Sequence, residues 1–173
     1  PVVRALSQLR ERRRGVRWVA EENLHVTLKF IGDVEEAFLT EAEAELGRIR
    51  VEPFIVPVEG IGVFPPRGRP SILWAGLGSG HPRLFQLHKA IDDTLFALGV
   101  EPEKRAYHPH ITLARCREAE PETVRQLVKA HRGFEGPPFK VAAFTLFSSL
   151  LRPEGPVYTV EREWTLEETD TGP

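Results

Sequence analysis

The 173-residue chain contains one cysteine and no methionine. A lone Cys116 excludes an internal disulfide framework and suits a reducing compartment, so the expected location is the cytoplasm. It follows Arg115 in a strand-like segment, where a small buried residue is a better reading than a nucleophile. No apolar run approaches the roughly 18 residues of a membrane span, and no apolar stretch near Pro1 reads as a signal peptide. With no methionine and a proline first, the chain is expected to lack its natural start. Charge of one sign is also missing: 23 Lys and Arg face 25 Asp and Glu, for a net charge of -2. That balance argues against a protein that grips long nucleic acid through many phosphates, while leaving a short strand end or a nucleotide open as a ligand. There is no glycine-rich phosphate loop, Rossmann fingerprint or nucleophile elbow.

What the chain does have is a four-residue phrase written twice, His25-Val26-Thr27-Leu28 and His110-Ile111-Thr112-Leu113. With ten threonines and 41% apolar residues, a given histidine has only about a 1% chance of being followed by apolar-Thr-apolar. Two matches among six histidines are therefore not expected by accident. Side chains alternate along a strand, so each phrase reads as a half-buried strand with His and Thr on one face and the apolar residues turned inward. Two imidazoles and two hydroxyls facing one cleft are the groups needed to move protons around a phosphate held between them.

The remaining pattern predicts helices over residues 2–14, 35–49, 82–98 and 121–130, from apolar residues at spacings of three and four. Strands are predicted over 24–31, 54–63, 71–77, 110–116, 139–150 and 157–166, with a proline-rich basic turn over 65–70 and a polar tail from 167 onward. The arginine run over 10–14 reads as a solvated helix face. The order helix, His strand, helix, hairpin occurs twice and the phrases lie 85 residues apart. This suggests a degenerate duplication whose pseudo-twofold axis brings both histidines to one cleft, with residues 1–173 forming one domain of two lobes.

The runs His25-Val26-Thr27-Leu28-Lys29-Phe30-Ile31-Gly32 and His108-Pro109-His110-Ile111-Thr112-Leu113-Ala114-Arg115 resemble the two signatures of the 2H phosphoesterase superfamily. The nearest branch is the RNA 2',3'-cyclic phosphodiesterases, historically called 2',5' RNA ligases. Asn23-Leu24, Phe64-Pro65, Leu73-Trp74-Ala75-Gly76 and Pro156-Val157-Tyr158-Thr159-Val160 share the likeness. The strand that usually opens members of the family is absent here. The resemblance implies an α+β, bilobal fold with two antiparallel sheets flanking a central cleft and helices outside. It also implies a cofactor-free and metal-independent hydrolase, expected to be a monomer away from membranes, that opens terminal 2',3'-cyclic phosphates of RNA ends or nucleotides to 2'-phosphates. By the same resemblance His25 is the proton donor, His110 the proton acceptor, and Thr27, Thr112 and Arg115 bind substrate. Ligation through a 2',5' bond, or nucleotide binding without turnover, are the alternatives.

Two points follow from the residues themselves. Strict alternation would put Arg115 on the face opposite His110, so its role requires a bulge or a strand end near Ala114. Only the second phrase carries such an arginine, which predicts a site symmetric in its histidines and lopsided in its positive charge. Lys29 shares the face of His25 and is a second cationic candidate, and Phe64 and Tyr107 are candidates for stacking on a base. His108 and His110 form a His-x-His with no third metal ligand at a recognisable spacing. His81 reads as a helix start, His88 as a helix side chain and His131 as a helix end.

Overall fold

The computed structural model describes residues 1–153 and 155–167. In chain order the helices are α1 (Val2–Ser7), α2 (Glu36–Leu46), α3 (Pro82–Ala97) and α4 (Pro121–Ala130). The strands are β1 (Arg17–Trp18), β2 (Phe54–Glu59), β3 (Ile61–Phe64), β4 (Ile72–Gly76), β5 (His110–Arg115), β6 (Glu135–Val141), β7 (Ala143–Arg152) and β8 (Gly155–Thr165). They build a four-stranded sheet in the order β1-β5-β4-β3 and two pairs, β2-β6 and β7-β8. Pairing within the four-stranded sheet and between β7 and β8 is antiparallel. The result is an α+β fold without a barrel. Among the described residues no helix is long and apolar enough to cross a membrane.

The chain divides into two compact units. The first takes residues 1–27, 56–80 and 107–139, and contains the four-stranded sheet and α4. One face of that sheet is apolar. Leu73 and Ala114 are buried there with Val124 and Leu127 of α4, and Trp18, Ile61 and Val63 pack against them. Pro121 at the first turn of α4 sets its entry, and the spacing of Val124 and Leu127 aims both at the sheet. Gly15 has φ +76°, and a Cβ there would lie 2.4 Å from the carbonyl carbon and oxygen of Glu118. Only glycine lets the chain pass that loop and enter β1 beside β5.

The second unit takes residues 28–55, 81–106 and 140–173. Leu84, Leu87, Ile91 and Leu95 form the buried stripe of α3, and Ala42 and Leu46 that of α2. His81 caps α3, its Nδ1 accepting the Arg83 amide at 3.1 Å. In β7 and β8, Phe144 faces Trp164 and stacks on it with centroids 5.0 Å apart.

Several expectations change. The opening helix stops at Ser7, not residue 14. Beyond Leu9 no apolar residue continues its stripe, and Arg10 and Glu11 act instead as cross-links. Arg10 donates to the Val19 carbonyl, the Glu11 carbonyl accepts the Trp18 indole N–H at 2.8 Å, and the Glu11 carboxylate meets Arg13 and His131. The strand expected over 54–63 breaks at Gly60, where the chain leaves the partner β6 for the partner β4. Strand β6 starts at Glu135, ahead of the expected residue 139. Pro137 and Pro138 read as breakers, yet β6 has one strand neighbour, and an edge position tolerates missing amide donors. The first His-Thr phrase is not a ladder strand: a 3-10 turn at Glu21–Asn23 precedes it, and one isolated bridge is its strand pairing. The polar tail expected from 167 lies, after Glu167, outside the described residues.

Candidate active site

The site is assembled on the face of the four-stranded sheet turned away from α4. Both phrases belong to the first unit through His25–Thr27 and His110–Leu113, where the duplication had suggested one phrase from each lobe. They are joined by an antiparallel bridge between Val26 and Ile111. Carried one residue either way, that register sets His25 across from Thr112 and Thr27 across from His110. Ile111 is buried on the apolar face, so the flanking His and Thr residues emerge together on the other. Each histidine thus has the other phrase's threonine as its direct neighbour. The two histidines stand on a diagonal, with their side chains rooted about 7–8 Å apart. That spacing leaves room for a tetrahedral phosphate between them.

The rings are oriented by the same device twice. His25 Nδ1 lies 2.7 Å from the Asn23 carbonyl oxygen, and His110 Nδ1 lies 2.7 Å from that of His108. A carbonyl can only accept, so Nδ1 carries hydrogen in both rings and the lone pair of the neutral imidazole is on Nε2. Neither carbonyl was anticipated from the sequence; the only signal was the shared spacing of two residues before each histidine. Tyr107 adds a third tie, its hydroxyl donating to the Thr27 carbonyl at 3.1 Å. Its phenol end is therefore used between the phrases.

The environments of the two rings differ. His25 is exposed and His110 half-buried. Phe64 meets His110 edge-on at 5.0 Å, and Trp74 and His108 stand 6.3 and 6.2 Å from it by ring centroids. Burial pushes the His110 pKa below the usual histidine value, the His108 carbonyl opposes this, and charge repulsion from the neighbouring His108 and His25 rings adds to the lowering. Trp74 occupies its place because residue 62 is glycine, where a Cβ would come within 2.1 Å of the indole. Neither Trp74 nor Gly62 had been read as a site residue, since both resemble ordinary strand positions.

Arg115 reaches the site face through a bulge. Thr112 pairs with Trp74 and Ala114 with Leu73, leaving Leu113 as an extra residue in β5. The extra residue inverts the alternation, Ala114 turns into the core, and Arg115 emerges on the side of His110 and Thr112. This meets the condition that alternation had imposed on Arg115.

The other candidates are spent elsewhere. Lys29, in the second unit, pairs with Asp92 and also donates to the Glu101 carbonyl at 3.3 Å, with its side chain 3% exposed. It serves there as a buried ion pair and not as a cation at a cleft edge. Cys116 is fully buried and burial raises its thiol pKa, which removes it as a nucleophile. His108 packs edge-on against Trp74 and Phe64 at 5.0 and 5.3 Å. Among the described residues no three His, Cys, Asp or Glu side chains come together as a metal-binding group. His88 lies on α3 with its pKa lowered by burial, and His131 ends α4 at 3.1 Å from Glu11.

Known proteins share this arrangement of chain. A family model described as LigT like phosphoesterase matches residues 1–74 and 77–158. An RNA 2',3'-cyclic phosphodiesterase of Aeropyrum pernix is 37% identical over 142 residues, covering 81% of this chain and 80% of the relative. One of Thermotoga maritima is 34% identical over 166 residues, covering 94% and 86%. A crystal structure from Thermus thermophilus superposes with a TM-score of 0.78 at 28% identity, covering 95% of this chain and 91% of that one. A family match across nearly the whole length, relatives above 30% identity and a shared fold agree with the doubled phrase on the sheet: the chain belongs to the LigT-like phosphoesterase family.

Proposed function

We propose that this chain is an RNA 2',3'-cyclic phosphodiesterase that opens a terminal 2',3'-cyclic phosphate to a 2'-phosphate. The observation that carries the reading is the Val26–Ile111 bridge, which makes each histidine a neighbour of the other phrase's threonine. The names of the relatives point to the same substrate class. In this reading the phosphate sits between the diagonal histidines. His110 Nε2 takes a proton from water as its oxygen bonds to phosphorus, and His25 Nε2 gives a proton to the 3'-oxygen as its bond to phosphorus breaks. Thr27 and Thr112 hydroxyls donate to the non-bridging oxygens, and Arg115 supplies positive charge beside them. The lowered pKa of His110 suits the base, which must be neutral to accept a proton.

The test is hydrolysis of a 2',3'-cyclic nucleotide in the presence of a chelator, with the product read by phosphorus NMR. Turnover to the 2'-phosphate is expected. A 3'-phosphate product, or no turnover, rejects the proposal.

The pH profile checks the assignment of the base. Burial disfavours the imidazolium of His110, so its neutral form persists to lower pH than an ordinary histidine's. The acid limb of kcat/KM should therefore fall below about pH 6.5. Phe64→Ala opens the ring to water and should move that limb to higher pH. A limb that stays in place, or moves down, assigns the base to another group.

A further inference from the structure

The site face continues beyond the two phrases. Arg17, Arg115, Ile72 and Phe64 form one row across β1, β5, β4 and β3, next to the row that holds Thr112 and Trp74. The row is polarised, with two exposed guanidinium groups at one end and an aliphatic and an aromatic side chain at the other. Arg17 and Arg115 are direct cross-strand partners, and like charges in that relation destabilise a sheet. A chain of net charge -2 has nevertheless gathered two arginines there. The counter-ion of Arg17 is Glu118 at 2.5 Å, with side chains 65% and 67% exposed, a surface pair that is weak and readily exchanged. Among the described residues Arg115 has no carboxylate partner. An anion laid across both arginines removes their repulsion, and the adjoining apolar half of the row suits a nucleobase.

We propose that Arg17, beside Arg115, forms a second phosphate subsite that binds the phosphodiester one nucleotide upstream of the terminal cyclic phosphate. The enzyme then prefers the end of a single RNA strand to a free cyclic nucleotide. The proposal rests on the cyclic phosphodiesterase reading and specifies its substrate.

The experiment compares kcat/KM for a dinucleotide ending in a 2',3'-cyclic phosphate with kcat/KM for the corresponding cyclic mononucleotide. In the unaltered protein the ratio should favour the dinucleotide and decline as salt is raised. Arg17→Gln should lower the ratio about tenfold at low salt and flatten its salt dependence, the size of a lost charged hydrogen bond. Glu118→Gln releases Arg17 and should raise the ratio about twofold, a change that loss of folding cannot produce. A ratio unmoved by both substitutions overturns the subsite. If neither substrate turns over, the cyclic phosphodiesterase reading fails by itself. The subsite is then judged by calorimetric binding of the dinucleotide and mononucleotide 2'-phosphates, where Arg17→Gln must reduce the preference for the dinucleotide.

Discussion

His25→Ala and His110→Ala should each lower kcat on a 2',3'-cyclic nucleotide by about 10³-fold, within the range for loss of a positioned acid or base. In the proposed reaction the two rings act on one phosphate, so the double variant should fall little further than the worse single variant. The losses should also differ in their pH dependence. Without His110 the acid limb of the rate profile disappears, and without His25 the alkaline limb does, since each limb reports the proton state of the missing ring. Folding should survive, because His25 is exposed and His110 is only half-buried. Urea midpoints close to the unaltered protein's would establish that. Activity above a tenth of the original in either single variant would falsify the acid–base assignment.

Thr27→Val and Thr112→Val should each reduce kcat by about 10²-fold with a smaller change in KM. Valine keeps the shape of threonine and removes only the hydroxyl. Among the described residues neither hydroxyl has a hydrogen-bond partner, so the substitution breaks no visible internal contact. In the proposed reaction it removes a donor to oxygens whose charge grows as phosphorus gains its fifth ligand, a loss of about 2.7–4 kcal/mol for a comparable oxyanion donor. Thr27→Ser and Thr112→Ser restore the donor and should recover most of the rate. If the valine variants keep full activity, the threonines are strand packing and the phosphate is held otherwise. Equal losses in the serine variants would likewise assign the effect to the methyl group.

How much of this was legible in the chain depends on the range of the interaction. The stripes of α2, α3 and α4 appear as residues three and four apart, because the contacts that bury them are set by one helix's own geometry. The inward turn of Ile111 and Leu113 follows from alternation in the same way. The bulge that brings Arg115 round was a stated condition of its role, and the β4–β5 register meets it at Leu113. Elsewhere local pattern misled. Residues 24–31 alternate like a strand, yet among the described residues their strand pairing is the single bridge between Val26 and Ile111 after the 3-10 turn. Lys29 carries the alternation of a site residue, but Asp92, far away in the chain, takes its ammonium.

The residue chemistry was fixed in the order of amino acids: two imidazoles with paired hydroxyls, one following arginine, a buried-type cysteine and a charge too balanced for long nucleic acid. Those properties belong to individual side chains or to neighbours within one turn or one strand, and no folding is needed to assign them. The tertiary structure decided which of them meet. It set the two phrases side by side within one unit, buried His110 more than His25, and ranked Arg17 with Arg115. The pairing of the phrases, the burial of His110 and the row of arginines depend on register or burial between segments far apart in the chain, and a local pattern does not encode register between segments it does not contain.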